Sequence, residues 1–432
     1  MADSQARLID IARLRIGLFV YLDLSWTEHP FPFNSFKLRS QDQIDTLRNL
    51  GLQRIRYSPD RSDVEPLSDA ELSGTEPSVE PAVVAQVPDG KRPEDLAKAA
   101  RREQLLAQQA SLERCERAFS QASRAFRSVI QTARGQPEMA REEVENLIGS
   151  MVAEMTDERE VAIRLLSEKA GEETSLHPLN VTVLSVLLGR ACGLDEETLL
   201  TIGQGALLHD IGKLDLPDRL HFADDPSTAA ERKVFQQHVE HGIGIGQRMG
   251  LRPSVIRVIN EHHENCDGSG YPLGLKGEQL SAASKVVCLV NYYDNLVNPG
   301  NPAQAATPHD ALAIMFAKHR QQFDATTMAV FIRMMGVYPP GSVVQLTDNR
   351  FALSVAVNPM RPLKPRVVVY SEEVPAEDSI ILDLEDFRDL GVQRSIKPLQ
   401  LPRAVFDYLS PRKRMCYFFE RARLSGEDIV AA

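Results

Sequence analysis

Two clusters of imidazole and carboxylate groups, far apart along the chain, set the tightest limit on how it folds. An apolar run ending in Leu207-Leu208 delivers His209-Asp210 just ahead of Ile211-Gly212-Lys213, and a later segment ends in Glu261-His262-His263-Glu264. Neutral imidazole nitrogens and carboxylate oxygens are what divalent first-row metals prefer as ligands. If these groups serve together, the segments carrying them must converge on one pocket.

Further candidates stand on either side. Glu173 and His177 are four residues apart and share one face of a helix, while His238 opens His238-Val239-Glu240-His241-Gly242. With His209, His262 and His263, His177 and His238 make up half of the chain's ten histidines, interleaved with acids, and neutral packing requires no such set. Helical spacing puts Lys213 over both His209 and Asp210, so its ammonium can meet a phosphate oxygen there, and Gly212 keeps that approach open. Phosphodiester hydrolysis needs an activated water and neutralised charge on the attacking and leaving oxygens, which two metals bridged by a carboxylate such as Asp210 provide. Two glycines in Asp267-Gly268-Ser269-Gly270-Tyr271-Pro272 let the backbone approach a ligand, and Tyr271 can stack on a base. The pattern points to a metal phosphoesterase.

Composition narrows the class. Acidic residues outnumber basic ones by 60 to 49, so no bulk field gathers nucleic acid and a phosphate ligand depends on local metal or lysine charge. Five scattered cysteines without Cys-x-x-Cys spacing fit reduced thiols in a cytoplasmic compartment. The apolar fraction of 43% suits globular folding, and no apolar run reaches membrane-spanning length. At 432 residues, several domains are expected.

Periodicity divides the chain. Residues 1–60 mix strand and helix signals as a small α/β domain, with the only tryptophan, Trp26, in a proline-interrupted aromatic segment. Residues 61–93 have the Pro- and acid-rich composition of a linker. Residues 94–170 predict a connector of long helices interrupted near Gly135-Gln136-Pro137, 171–338 a helical domain, and 339–432 a β-rich extension ending in a helix from Arg403 to about Arg423. The fold class expected is mainly α: a helical metal-binding bundle with a small N-terminal α/β domain and a short C-terminal β appendage.

His209-Asp210-Ile211-Gly212-Lys213, His262-His263-Glu264 and Asp267-Gly268-Ser269-Gly270-Tyr271-Pro272 together resemble the HD-GYP family of the HD phosphohydrolase superfamily, over residues 173–337. The resemblance implies an all-α bundle with two or three divalent metals, iron or manganese. It further implies hydrolysis of cyclic di-GMP to linear pGpG or GMP in bacterial signalling. By position, it makes His177, His209, Asp210, His238, His262 and His263 metal ligands and Glu173 the extra ligand of trinuclear members. Lys213 would contact phosphate, and Asp267 with Gly270, Tyr271 and Pro272 would form the substrate loop. The N-terminal segment resembles a small domain often fused ahead of such bundles and implies regulation, with a homodimer or a signalling protein as partner.

Two departures from the family pattern carry expectations. Asn291 stands where the family has a ligand aspartate, and an amide binds metal more weakly than a carboxylate; Asp294, one turn on, is the candidate substitute. Asn298-Pro299-Gly300-Asn301-Pro302 replaces a basic phosphate-binding segment, which predicts lower turnover or a cyclic-dinucleotide-binding module with little catalysis.

Overall fold

The computed structural model describes residues 6–22, 35–49, 52–67, 93–156, 161–167, 173–217, 220, 228–357, 362–387 and 389–421. The segment around Trp26 and residues 68–92 of the expected linker lie outside them. The chain divides into two compact units, residues 1–109 with 371–380, and residues 110–370 with 381–432.

In the first unit, β1 (Arg7–Asp10), β2 (Phe19–Tyr21), β3 (Ser35–Lys37) and β4 (Arg54–Ser58) form an antiparallel sheet in the order β1-β4-β2-β3. Helix α1 (Gln41–Asn49) contributes Ile44 and Leu47 to a core with Leu14, Leu18, Val20, Leu38, Ile55 and Tyr57. This is the α/β arrangement that the mixed periods imply.

The connector is a helical hairpin. Helix α2 (Pro93–Thr132) stops before Gly135 and α3 (Pro137–Thr156) starts on the proline, whose missing N–H costs nothing in a first turn. From Ala110 onward α2 belongs to the second unit, where Phe119, Phe126 and Val129 join α3's Val144, Ile148 and Val152 in the main core. Burying each such side chain stabilises the fold by roughly 1.5–3 kcal/mol.

Strand β5 (Val161–Leu165) then departs from the expected helical connector. It lies in a seven-stranded antiparallel sheet with β6 (Val343–Leu346), β7 (Phe351–Val357), β8 (Arg366–Val369), β9 (Ile381–Asp383), β10 (Val392–Ile396) and β11 (Tyr417–Arg421). The β part is therefore not purely C-terminal. Ala162-Ile163-Arg164-Leu165 is buried on consecutive residues, which gives no alternation to read. Turn 347–350 joins β6 to β7 as a hairpin, pairing Val343 with Leu353 and putting Asn349 at φ 73°.

The remaining helices make the bundle: α4 (Glu173–Ala191), α5 (Glu196–Leu208), α6 (Ala229–Gln236), α7 (His238–Met249), α8 (Pro253–Glu261), α9 (Ala282–Val297), α10 (Pro308–Lys318) and α11 (Ala325–Met335). Their starts are legible in sequence. Asp195, Thr228, Ser281, Thr307 and Asp324 each accept from a first-turn N–H, and Thr228 with Glu231 forms a reciprocal capping box. The last helix, α12 (Arg403–Leu409), ends earlier than expected at Ser410, and residues 417–421 pair as β11 with β5 instead. The run Tyr417-Phe418-Phe419 has strand propensity, and a sheet edge was there to receive it. Among the described residues no helix is long and apolar enough to cross a membrane.

A candidate metal centre

Helix ends build the centre. His209 follows the last residue of α5, His262 follows α8, and His238 begins α7 just after α6. The last carbonyls of a helix have no intrahelical partner. Each of these histidines supplies one: His209 Nδ1 lies 2.7 Å from the Ala206 carbonyl, His238 Nδ1 2.6 Å from that of Phe235, and His262 Nδ1 2.7 Å from that of Ile259. A carbonyl can only accept, so each Nδ1 carries the proton and each Nε2 presents a bare lone pair. His177, in the second turn of α4, is set differently, its Nδ1 bonding Asp294 Oδ2 on α9 at 2.7 Å.

Those lone pairs converge. His177 Nε2 and His209 Nε2 are 3.2 Å apart, and so are His238 Nε2 and His262 Nε2. Asp210 sits between the two pairs: Oδ2 is 3.3 Å from His209 Nε2 and 3.8 Å from His177 Nε2, and Oδ1 is 3.5 Å from His238 Nε2 and 3.8 Å from His262 Nε2. Two groups of donor atoms follow, His177-His209-Asp210 and Asp210-His238-His262-His263, with the carboxylate shared. Asp210 Oδ1 and His263 Nε2 are buried without a hydrogen-bond partner, a costly state for polar atoms. Facing lone pairs repel and the orphaned atoms lack a donor. Cations at both groups relieve the two at once, so the residues present fit a pair of divalent metals.

Protonation agrees with that use. Burial holds the His262 and His263 imidazoles well below their ordinary range, reinforced by neighbouring imidazoles, and lowers His238 as well. Burial alone pushes the Asp210 carboxyl up, but the Lys213 ammonium and His209 overcome it and hold it well below the usual carboxylate range. Neutral imidazoles and an ionised carboxylate are the ligating forms.

Lys213 reaches the site by a tighter path than a helix. The chain leaves α5 at His209 and continues as a 3-10 turn over Ile211–Asp215, which brings Lys213 Nζ within 2.7 Å of Asp210 Oδ2. Gly212 serves packing: a Cβ there would run into the His238 carbonyl and the Gly242 amide of α7, so the close contact of turn and helix, and with it the spacing of Asp210 to His238, requires glycine.

The glycine loop closes one side. Glu264, buried, accepts from the N–H groups of Leu273, Gly274 and Leu275 at 2.6, 3.2 and 2.9 Å and so organises the return of the loop. The sequence signal for this role is the position of Glu264 between the histidine pair and two glycines. Asp267 accepts from the backbone and hydroxyl of Ser269, and a side chain on Gly270 would strike the backbone of His263 to Asn265. Tyr271 stacks on His263 with centroids 4.5 Å apart, and burial followed by the Asp210 charge pushes its phenol up, so its hydroxyl keeps its proton. Pro272 follows Tyr271 in this wall.

The other expected residues divide. Glu173 begins α4, but its side chain lies outside what the structure describes. Asn291 is buried on α9, its Oδ1 accepting from Asn295 at 3.2 Å. Asp294 is fully buried, with Oδ2 committed to His177.

The chain is similar to known proteins over the segments that carry these donors. Residues 148–327 match the HD domain. Ahead of it, residues 7–164 match a domain of unknown function, DUF3391. A cyclic di-GMP phosphodiesterase of Pseudomonas aeruginosa is 27% identical over 385 residues, covering 86% of this chain and 88% of that protein. A cyclic di-GMP phosphodiesterase response regulator of Xanthomonas campestris pv. campestris is 30% identical over 195 residues, 44% of this chain and 51% of its own length, so this chain spans about half of that relative. A 3'3'-cGAMP-specific phosphodiesterase of Vibrio cholerae is 28% identical over 167 residues, covering 38% of this chain and 36% of that protein. All of the donor atoms described above, from His177 to His263, lie inside the HD domain match.

Proposed function

We propose that the chain is a metal-dependent phosphodiesterase that opens cyclic di-GMP to linear pGpG or onward to GMP. The observation that carries the reading is the facing of bare Nε2 atoms at 3.2 Å on either side of one shared carboxylate. His177, His209 and Asp210 would hold one cation, and Asp210, His238, His262 and His263 the other. Such a pair supplies an activated water and neutralises charge on the attacking and leaving oxygens. Iron or manganese suits a site of imidazoles and carboxylate without thiolates. Lys213, a quarter exposed beside Asp210, is placed to pair with a phosphate oxygen and to stabilise the charge that grows there as the P–O bond breaks. Its contact with Asp210 is then exchanged for one to substrate. Gly270, Tyr271 and Pro272, with Asp267 at the start of the loop, form the wall against which a guanine base packs.

Relatives named for cyclic di-GMP and for cGAMP support a cyclic dinucleotide as the substrate class. Protein loaded anaerobically with iron or manganese and given each dinucleotide tests the reading by chromatography of products. Linear product from cyclic di-GMP is expected, and no cleavage by metal-replete protein sinks the hydrolase. One feature of the sequence favours a second reading, a binding module with little turnover: Asn291 stands where the family pattern has a ligand aspartate, and an amide binds metal more weakly than a carboxylate. If Asn291→Asp converts a silent protein into a hydrolase, that module is the better description.

A further inference from the structure

His177 points its lone pair correctly only while Asp294 stands still, and Asp294 is held from outside the bundle. Its free oxygen, Oδ1, accepts from Nδ2 of Asn180 and Nδ2 of Asn298, each at 2.9 Å. The second hydrogens of the same two amides go to the Met415 carbonyl, at 2.7 and 2.9 Å. The return bonds run from the backbone: Met415 N–H donates to Asn298 Oδ1 at 2.7 Å and Tyr417 N–H to Asn180 Oδ1 at 2.8 Å. Both amides are buried and every one of their donors is used. A closed network of this kind fixes its members in one arrangement, whereas a half-made one leaves buried polar atoms orphaned.

We propose that Met415 to Tyr417, at the far C-terminal end of the described chain, is a positioning clamp for the metal centre. It sets Asn180 and Asn298, they set Asp294, and Asp294 sets the tautomer and direction of His177. Partners of metal-binding histidines commonly matter 10–100-fold in metal affinity. The clamp acts through His177 alone, since His209, His238 and His262 are tied to carbonyls of their own helix ends. Asn298, in the segment that replaces the expected basic motif, thereby has a use: it is the residue through which the extension grips α9.

The proposal rests on the metal reading above. Metal content and the EPR spectrum of manganese-loaded protein test it in wild type, Asn298→Leu, and Leu353→Ala as a control that loosens a sheet-side core to which Met415 and Tyr417 do not belong. Wild type and Leu353→Ala are expected to hold both ions with the spectrum of a coupled pair. Asn298→Leu is expected to lose the pair signal and bind one ion 10–100-fold more weakly. Wild type without metal removes the reading of the site; wild type and Asn298→Leu with the same two affinities and spectrum overturn the clamp alone. Should Asn298→Leu not fold, hydrogen exchange in wild type decides. Metal loading slows exchange at the Met415 and Tyr417 amides relative to Leu353 if clamp and metal are linked, and equal rates overturn it.

Discussion

His177 in one half of the centre and the pair His238 and His262 in the other use the same imidazole nitrogen but are secured by different means. His238 and His262 lean on carbonyls three residues earlier in their own segments, at 2.6 and 2.7 Å, whereas His177 leans on a carboxylate 117 positions away. A main-chain carbonyl is present whatever the side chain and moves with the helix that carries the histidine. A carboxylate on another helix is a choice of sequence and depends on the packing of both elements. The His238 and His262 half is thus robust by construction, and the other half, where only His209 leans on its own helix, is adjustable at His177 and exposed to damage there.

The largest effect should come from the group both halves share. Asp210→Asn leaves the shape but withdraws the charge between the two sets of nitrogens, and turnover should fall by ~10³-fold with loss of both ions. Near-normal activity would mean that the carboxylate bridges nothing. Next, Asp294→Asn should weaken metal at the His177 half by about 10–100-fold while the other half keeps its ion, read by titration with metal analysis. Equal weakening of both halves would erase the distinction drawn above. Lys213→Met should leave metal content alone and lower kcat/KM by about tenfold, near 1.4 kcal/mol, as for one lost charge-assisted contact. A loss of metal in that variant would move Lys213 from substrate to scaffold. The smallest change belongs to the carbonyl-held side: Phe235→Leu trims the ring that lies 5.0 Å from His238 yet keeps the carbonyl that orients it. It should cost about 1 kcal/mol of stability with metal affinity within about twofold of wild type, and a large loss of metal would show that ring contact, not the carbonyl, aims His238.

The same division separates what could be read from the chain and what could not. Capping residues, the break at Pro137, the β6-β7 hairpin and the clustering of histidines near acids were legible because each is a local relation between residues a few positions apart. The 3-10 path of Lys213 was not, since a helix and a tighter turn place a residue three positions on in similar directions. Nor was the membership of β5 in a sheet whose other strands come almost two hundred residues later, because continuous burial erases the alternation that marks a strand. Glu264 and Asn180 looked like ordinary polar residues. Their partners, the loop amides in one case and the Met415 and Tyr417 backbone in the other, exist only after the chain has folded.

By itself the sequence determined which atoms could act: imidazoles, a carboxylate among them and a lysine beside it, carried by segments with legible helical starts. Tertiary structure alone decided which nitrogen of each histidine faces inward, that Asp210 lies between two pairs, and that Asp294 is turned to His177. The physical reason is that a ligand's identity is a property of one residue, whereas its tautomer and aim depend on the hydrogen bond at the other end of the ring, supplied by whatever the fold brings there.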